Sequence, residues 1–321
     1  MGRAKSLLKI LVVRFGAMGD ILHTVPAVTR LRQRWPHAEI TWVLEPRWMP
    51  LLAGTRIVDH LLPLERKSAA SVWIALKWLR RWRPDLAIDF QGLLKSAITA
   101  WLSGAADRVG FAAESLRERQ AGVFYSQLVT PNRAHVVDQN LELVGAGAGA
   151  QIEQQAEIWS GPIGFPQGTL PSGDFVLAAP FAGWKSKQWP IERYLDLGQR
   201  LTTERGMTLV LNVMPGTALP ESNFVWRHES GIEGLIDATR RARAIVGLDS
   251  GPMHLAASLQ KPGVALFGPT DPNRNGPYGG TVRVLRAAGA ITSYKRDNEI
   301  SASMLRLDVD QTWTALNEVI D

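Results

Sequence analysis

The residues whose spacing is most informative run from Asp249 to His254, in the order Asp-Ser-Gly-Pro-Met-His. They follow an apolar run typical of a buried strand and precede a short apolar stretch typical of a helix. Pro252 suits the first turn of such a helix, where no N–H is needed. A helix start presents free N–H groups and a partial positive charge, so it can hold a phosphate. We therefore predict that the helix start at Ser250 and Gly251 binds the anionic part of a nucleotide. His254 either reaches the same anion or is a structural histidine. Asp249 either contacts a sugar hydroxyl or caps the helix.

A second set of polar residues follows the first apolar run of the chain, in Arg14-Phe-Gly-Ala-Met-Gly-Asp20. Gly16 and Gly19 permit a tight turn and a close approach of the backbone to a ligand. Their spacing does not satisfy Gly-x-Gly-x-x-Gly, so the dinucleotide-binding pattern is absent. Asp20 falls where the following helix begins. It is predicted either to cap that helix, which is worth about 1 kcal/mol, or to take a proton from an incoming hydroxyl as a general base.

A third candidate site lies in Pro180-Phe-Ala-Gly-Trp-Lys-Ser-Lys-Gln-Trp-Pro190, between a predicted strand and a helix that starts near Pro190. Lys187 can neutralise a diphosphate as its bond to a sugar breaks. The alternative is that Lys185 and Lys187 are two solvated lysines of a loop. Trp189 is predicted to be a packing residue.

Residues 69–83 combine tryptophans with arginines and a lysine at helical spacing. At about 100° per residue, one broad face carries the apolar side chains, whereas Trp73 and most of the cations lie opposite. The favoured interpretation is an amphipathic helix packed on a sheet. The alternative is a patch that rests on an anionic membrane surface.

Short apolar runs alternate with segments of helical period along the whole chain, which predicts parallel sheets built from βαβ units. A stretch dense in Gly and Pro, residues 161–173, is typical of a linker between two domains. We therefore predict an α/β protein of two Rossmann-like, doubly wound parallel-sheet domains that face each other across a cleft. Ligands of such sheets bind beyond the carboxyl ends of the strands. The predicted strands are residues 9–14, 39–44, 60–64, 86–90 and 108–111 in the first half, and 175–179, 208–213, 244–248, 263–267 and 282–285 in the second.

Composition limits the kinds of chemistry. The chain of 321 residues has no cysteine, so disulfides, thiolate metal sites and cysteine nucleophiles are excluded. The net charge of +6 favours polyanionic partners. Nucleic-acid-binding motifs are missing, so no nucleic-acid partner is predicted. No apolar run is as long as a signal-peptide core or a membrane span, which predicts a soluble cytoplasmic protein.

Together these motifs resemble glycosyltransferase family 9, the ADP-heptose lipopolysaccharide heptosyltransferases, and most closely its type I members. The resemblance implies the GT-B architecture, with an acceptor-binding domain at 1–162 and a nucleotide-sugar-binding domain at 163–321, whose last helix can pack back on the N-terminal domain. The matching segments occur in the family's order: Met18-Gly-Asp-Ile-Leu-His-Thr-Val-Pro26, Ile88-Asp-Phe-Gln-Gly-Leu-Leu-Lys-Ser96, Lys187-Gln-Trp-Pro190, Asp249-Ser-Gly-Pro-Met-His-Leu-Ala-Ala257 and Phe267-Gly-Pro-Thr-Asp-Pro272.

The resemblance also implies a role for each matching residue. Asp20 corresponds to the catalytic aspartate of the family and Lys187 to its phosphate-binding lysine. The donor-binding turn corresponds to Asp249, Ser250, Gly251 and His254, and Glu221 is the nearest candidate for a ribose-binding glutamate that the family carries on a helix. The acceptor-side positions correspond to Gly19, Arg66, Lys67 and Arg117. The chain departs from the family at Ala182, Gly183 and Trp184, where hydroxyl residues are frequent.

The implied reaction is an inverting glycosyl transfer from ADP-heptose to the Kdo sugar of a phosphorylated Kdo-lipid A acceptor, with no metal and no other cofactor. The implied location is the cytoplasm, in peripheral contact with the inner membrane. Two other functions stay open from the residues alone. One is an NAD-dependent oxidoreductase on paired Rossmann domains, and the other is a non-enzymatic module that binds polyanions or lipid.

Overall fold

The computed structural model describes residues 7–148 and 159–321 of the chain. The chain divides into two compact units, Met1–Pro162 (unit 1) and Ile163–Asp321 (unit 2). Each unit contains one six-stranded sheet, and every strand pair within the two sheets is parallel. These two doubly wound parallel sheets confirm the predicted fold class.

The sheet of unit 1 has the strand order β3-β2-β1-β4-β5-β6. Its central strands are short runs of β-branched and aliphatic residues, and Ile10, Leu11, Val12 and Val13 are completely buried. Such runs, buried on both faces, are typical of parallel sheets covered by helices on both sides. The elements are β1 (Lys9–Val13), α1 (Met18–Arg34), β2 (Glu39–Leu44), β3 (His60–Pro63), α2 (Ala69–Trp82), β4 (Leu86–Asp89), α3 (Leu94–Leu102), β5 (Asp107–Phe111), β6 (Gln127–Val129) and α4 (Val136–Ala148).

The sheet of unit 2 repeats this topology. Its order is β12-β11-β10-β7-β8-β9, so the first strand of the unit again lies next to the fourth. The elements are β7 (Phe175–Ala178), α5 (Ile191–Arg205), β8 (Thr208–Val213), β9 (Val225–Glu229), α6 (Ile232–Arg241), β10 (Ala244–Leu248), α7 (Gly251–Ser258), β11 (Gly263–Phe267), α8 (Pro272–Asn275), β12 (Val282–Arg286), α9 (Ala302–Leu305) and α10 (Val309–Ile320).

The ten predicted strands are present, with bounds that differ from the prediction by at most one residue at either end. The structure adds two strands that the sequence pattern did not indicate, β6 and β9. Both lie at an edge of a sheet, where one side of the strand stays open to water. β6 has only three residues, and β9 contains Arg227, His228 and Glu229. A short or polar edge strand lacks the buried apolar run by which a central strand is recognised.

The helix over residues 69–83 was predicted to pack on the sheet by one apolar face, and the structure confirms this packing. Ala75, Leu79 and Trp82 of α2 are buried in a core with residues of β1 and β2, and Leu76 and Trp78 pack at its margin. The side of α2 that carries Trp73 stays exposed.

The last helix, α10, belongs to unit 2. Its apolar side chains Trp313, Leu316 and Ile320 are buried in the core that also contains β7, β8, β10 and β11. The expectation that this helix packs back on the N-terminal domain stays a prediction.

The segment predicted as a linker has no regular element between residues 159 and 174. It is nevertheless held against α6. Gln167 Oε1 accepts a hydrogen bond from the N–H of Gly231 at 2.9 Å, and the N–H of Phe165 donates to the carbonyl of Glu233 at 3.3 Å. A side chain at Gly164 would meet the backbone of Asp237 at 2.3 Å, which explains why glycine is needed at this close approach.

Candidate active site

The polar residues of unit 2 gather where the strand order reverses direction. From β7 the chain proceeds to β8 and β9 on one side and then crosses to β10 on the other. Because β7 and β10 are paired in parallel, the segments that follow their carboxyl ends leave the sheet side by side. The crevice at such a reversal is where open α/β sheets bind ligands.

Lys187 and Asp249 form a direct ion pair at this edge. Lys187 lies in a single 3-10 turn, Lys185–Lys187, after β7, and Asp249 follows the last residue of β10. Lys187 Nζ donates to Asp249 Oδ2 at 2.7 Å, and only 15% and 7% of the two side chains are exposed. The other carboxylate oxygen, Oδ1, lies 3.7 Å from His254 Nε2 in the first turn of α7. Three of the residues predicted to bind the donor are thus brought together.

The electrostatics of this cluster are set by burial and by the two basic neighbours. Burial alone would raise the pKa of Asp249, but His254 and Lys187 outweigh it and hold the pKa below its ordinary value. Asp249 is therefore ionised at neutral pH and fixes the lysine ammonium at the end of the sheet. The buried pair with Asp249 does not agree with the alternative that Lys187 is a solvated lysine of a loop. Lys185, in contrast, is exposed and agrees with that alternative.

The start of α7 has no side-chain cap. Ser250 is the N-cap residue and has an extended backbone, but its side chain makes no capping hydrogen bond. In the part of the chain that the structure describes, Ser250 Oγ is buried and has no hydrogen-bond partner. Gly251 begins the helix, and the N–H groups of the first helical turn have no acceptor within the helix. A phosphate oxygen at this position would satisfy both the hydroxyl and the helix N–H groups.

A tryptophan between two cations borders this cluster. The ring of Trp184 has Lys187 Nζ at 4.3 Å from its centroid and the guanidinium of Arg296 at 5.1 Å. Arg296, from the segment after β12, was not singled out in the sequence because nothing in its neighbourhood has a recognisable period. Trp189 is buried and donates its indole N–H to the carbonyl of Leu307 at 2.7 Å, as expected of a packing residue.

Glu221 lies elsewhere in unit 2. The family resemblance implied a glutamate carried by a helix, but Glu221 is exposed in the irregular segment between β8 and β9. β8 is the neighbour of β7, so this segment leaves the same edge of the sheet. A ribose-binding role for Glu221 stays a prediction.

In unit 1, Asp20 lies at the corresponding reversal, between β1 and β4. It is in the first turn of α1, and its Oδ2 accepts the N–H of Ala17 at 3.1 Å. The same carboxylate pairs through Oδ1 with Arg14 Nη2 at 2.7 Å, and 43% of the Asp20 side chain is exposed. The capping function is therefore present, and the carboxylate is also accessible to a substrate.

Arg14 is a residue that the sequence reasoning missed. Its guanidinium is buried, donates to the carbonyl of Phe90 after β4, and holds Asp20. Arg14 thereby joins the segments that follow β1 and β4. The sequence did offer a signal for Arg14, because it is a charged residue directly after a buried strand and before a glycine turn. A cation that is buried at such a position needs polar partners.

The four acceptor-side predictions occupy different environments. Gly19 is in the first turn of α1 next to Asp20. Arg66 pairs through Nη2 with Glu45 Oε1 at 2.5 Å. Lys67 and Arg117 are exposed residues of irregular segments.

Glu45 organises the basic residues at the end of β2. Its carboxylate is buried and is bonded by both Arg66 and Arg47, and its N–H donates to the carbonyl of Phe15 at 2.9 Å. Burial alone would raise the pKa of Glu45, but the hydrogen bonds from Arg66 and Arg47 lower it below its ordinary value. Arg66 is consequently held beside the segment that carries Asp20.

Within residues 7–148 and 159–321, no group of three or more histidine and carboxylate side chains could hold a metal ion. Across the same residues, no helix has both the length and the apolar character that a membrane span needs.

Known proteins resemble this chain over nearly its whole length. Lipopolysaccharide heptosyltransferase 1 of Pseudomonas aeruginosa is 28% identical over 299 residues, which cover 85% of this chain and 82% of that protein. The structure of Escherichia coli heptosyltransferase WaaC with ADP matches with a TM-score of 0.79 at 23% identity, over 97% of this chain and 100% of that one. The same enzyme with ADP-2-deoxy-2-fluoro heptose matches with a TM-score of 0.76 at 24% identity, over 97% and 99%. At these identities the structural likeness shows the shared fold.

The family itself is shown by a separate match. The family model of glycosyltransferase family 9 (heptosyltransferase) matches residues 72–302, which is more than half of the chain. The matched segment includes Lys187 and the whole Asp249–His254 turn. This chain belongs to glycosyltransferase family 9, the heptosyltransferases, and is therefore an enzyme that transfers a glycosyl group.

Proposed function

We propose that this enzyme transfers heptose from ADP-heptose to the Kdo sugar of a phosphorylated Kdo-lipid A acceptor, with inversion at the anomeric carbon and without a metal. The observation that carries the proposal is the cluster of Lys187, Asp249 and His254 beside the uncapped start of α7 in a family 9 chain. The choice of ADP-heptose is supported by the WaaC complexes with ADP and with a fluorinated ADP-heptose. The choice of acceptor is supported by the names of the relatives.

In the proposed reaction, unit 2 binds the donor and stabilises the leaving group. The hydroxyl of Ser250 and the first N–H groups of α7 donate hydrogen bonds to the phosphate oxygens. Lys187 supplies positive charge to the diphosphate as the bond to the sugar breaks, and Asp249 keeps the lysine in position. With this charge provided by protein groups, the departure of ADP needs no metal ion.

Asp20 of unit 1 is the proposed general base. It removes the proton from the acceptor hydroxyl, the hydroxyl oxygen forms a bond to the anomeric carbon, and the bond from that carbon to the diphosphate oxygen breaks. The electron pair of the broken bond leaves on ADP. Arg14 orients the Asp20 carboxylate through its 2.7 Å contact. The attack comes from the face opposite the leaving group, so the anomeric configuration inverts.

The acceptor carries phosphate groups, and the proposal assigns their recognition to the basic residues of unit 1. Arg66 is held by Glu45, while Lys67 and Arg117 are exposed and can reach an anion without breaking an ion pair. Gly19 lets the acceptor approach the backbone next to Asp20. Because the acceptor is a lipid, we propose that the enzyme works at the cytoplasmic face of the inner membrane, as a peripheral protein.

The two alternative functions receive no support. An NAD-dependent oxidoreductase would need the glycine pattern that residues 14–20 lack, and family 9 consists of transferases. A non-enzymatic polyanion-binding module does not account for a buried Lys187–Asp249 pair at the ligand-binding edge of a sheet.

The proposal is tested by nucleotide preference. Thermal unfolding is measured with ADP, UDP, GDP and NAD at equal concentrations, and the largest stabilisation is expected with ADP, because only binding to the folded state raises the midpoint. A transfer assay with ADP-heptose and Kdo-lipid A follows. Stabilisation by UDP or GDP above that by ADP would overturn the assigned donor, and stabilisation by NAD alone would support the oxidoreductase.

A further inference from the structure

One face of α2 is both apolar and basic, and the core of unit 1 does not use it. Trp73 and Ile74 are 62% and 60% exposed, and Lys77, Arg80 and Arg81 lie on the same side of the helix. We call these five residues the α2 face. Ile74, Lys77, Arg80 and Arg81 follow Trp73 by one, four, seven and eight residues, which keeps them on one side of a helix with 3.6 residues per turn. Their exposure therefore has no explanation in the packing of the unit.

The orientation of this face is fixed by the opposite side of the helix. Ala75, Leu79 and Trp82 are buried against the sheet, so α2 cannot roll to cover Trp73. The ammonium of Lys77 lies 4.8 Å from the centroid of the Trp73 ring. This contact holds a cation over an aromatic ring that lies at the surface.

The exposed surface continues onto the end of α3. Arg80 Nε donates to the carbonyl of Leu102 at 3.0 Å, which joins the two helices. Beside this contact is a groove of about 390 Å³ lined by Arg80, Arg83, Trp101 and residues 102–104. Trp101 is 51% exposed. A second exposed tryptophan and one further cation, Arg83, thus extend the α2 face.

Charge along this surface has a single sign. Residues 69–84 contain four cations and no acidic residue, and residues 94–106 contain one cation and no acidic residue. The whole chain has 30 acidic residues among 321, so two acid-free segments that meet at one surface are a departure from its average. A positively charged surface that also exposes Trp and Ile is complementary to an anionic partner with an apolar interior.

We propose that the α2 face and the adjoining groove dock unit 1 on an anionic lipid bilayer, with α2 lying in the plane of the interface. The aromatic rings of Trp73 and Trp101 and the side chain of Ile74 enter the boundary between headgroups and acyl chains. Lys77, Arg80 and Arg81 extend along the helix to the lipid phosphates. This inference rests on the proposed function for its biological purpose, because it identifies the surface through which the enzyme would reach a lipid acceptor.

A bilayer fits these observations better than a nucleic acid. A nucleic-acid surface uses cations for phosphates and aromatic rings for stacking on bases. It has no use for an exposed aliphatic side chain such as Ile74, whose burial is favourable only in an apolar medium. Ile74 and Trp73 are adjacent in sequence and lie on the same face as Lys77, Arg80 and Arg81, so the apolar part is not incidental to the charged part.

The test is co-sedimentation of the full-length protein with vesicles, measured without any substrate. One set of vesicles contains phosphatidylglycerol and phosphatidylcholine in equal parts, and the other contains phosphatidylcholine alone. The protein is expected to bind the anionic vesicles and to be released as salt is raised. The variant Lys77→Gln/Arg81→Gln is expected to bind about 30-fold more weakly. The variant Trp73→Ser/Ile74→Ser is expected to bind the anionic vesicles about tenfold more weakly or worse.

A matched control carries the same change of charge in unit 2. Lys295→Gln/Arg306→Gln removes two exposed cations outside the α2 face and is expected to bind vesicles like the wild type. Because all these positions are exposed, each variant is expected to keep the thermal unfolding midpoint and its shift with ADP.

Three results would overturn the proposal. They are no binding of the wild type to anionic vesicles, equal loss in the control and the α2 variants, and loss in the charge variant but not in the Trp73→Ser/Ile74→Ser variant. Equal affinity for a single-stranded oligonucleotide would assign the surface to polyanions in general. These readouts do not depend on transfer, so a wrong donor or acceptor in the proposed function would leave them unchanged.

Discussion

Replacing Lys187 by methionine is expected to destabilise unit 2 and to weaken the binding of ADP, because one buried partner of an ion pair is removed. The two charges are 2.7 Å apart and both side chains are largely buried. Loss of one partner from such a pair costs about 3–5 kcal/mol, mainly because the other charge stays buried without compensation. His254, at 3.7 Å from the second carboxylate oxygen, compensates part of this charge when it is protonated. We therefore expect the lower end of the range, about 3 kcal/mol.

The assay is urea or thermal unfolding, followed for unit 2. For a unit of this size, 1 kcal/mol corresponds to about 2–4 °C, so the midpoint is expected to fall by about 6–12 °C. Lys185→Met, two residues away and exposed, is the matched control and is expected to cost no more than about 0.5 kcal/mol. The double variant Lys187→Met/Asp249→Asn removes both charges and is expected to be more stable than Lys187→Met alone.

The same reasoning predicts a dependence on pH. The pKa of Asp249 is lower in the folded state than its ordinary value of 3.8. A carboxylate of this kind contributes its stabilisation fully above the unfolded pKa and loses it as the pH falls through the folded pKa. The difference in stability between the wild type and Lys187→Met is therefore expected to be constant above about pH 5 and to narrow in acid.

Lys187→Met is also expected to weaken the binding of ADP by about 10- to 150-fold, which is the value of one charge-assisted hydrogen bond. Isothermal titration calorimetry measures this directly. Equal stability and equal ADP affinity of Lys187→Met and Lys185→Met would refute the assigned role of Lys187. A double variant no more stable than Lys187→Met would also refute it.

Three further outcomes are expected. Tyr125→Phe removes the 2.6 Å hydrogen bond to buried Asp89 and should cost about 1–3 kcal/mol in urea unfolding at pH 7. Burial raises the pKa of Asp89, and the hydrogen bond from the tyrosine O–H opposes this rise. The loss of unfolding free energy in Tyr125→Phe should therefore shrink as the pH falls. A loss independent of pH would count against this role of Tyr125. Gly263→Ala places a Cβ 2.4 Å from the carbonyl of Ile245 and should lower the unfolding midpoint, whereas Gly173→Ala, with nothing within 4 Å, should leave it nearly unchanged. Transfer should continue in the presence of a chelator, and its abolition with rescue by added metal would contradict the metal-independent mechanism.

The central part of the fold was predictable because parallel strands buried on both faces are marked by apolar runs. Ile10 to Val13 and Ala244 to Leu248 are such runs, and both are completely or nearly completely buried. The edge strands β6 and β9 could not be recognised, because β6 has only three residues and β9 contains Arg227, His228 and Glu229, so neither shows a buried apolar run. The position of α10 could not be derived from its own apolar face, which fits any apolar surface of sufficient size.

The candidate site was predictable as separate motifs and not as a geometry. Asp249 and His254 are neighbours in sequence, so their shared position at a helix start followed from local rules. Lys187 is 62 residues from Asp249, and only the pairing of β7 with β10 brings the two side chains together. Arg14 was overlooked for a related reason. Its partners, Asp20 and the carbonyl of Phe90, lie on two segments that become neighbours only when β1 pairs with β4.

The most direct test of the central claim is Asp20→Asn, measured by ADP affinity and by the rate of transfer from ADP-heptose. Asparagine keeps an acceptor for the N–H of Ala17 and so preserves the helix cap, but it cannot take a proton. We expect an ADP affinity within about twofold of the wild type and a rate lower by about 10²- to 10⁴-fold, the usual contribution of a general base. Near-normal turnover in this variant would contradict the assignment of Asp20 as the base.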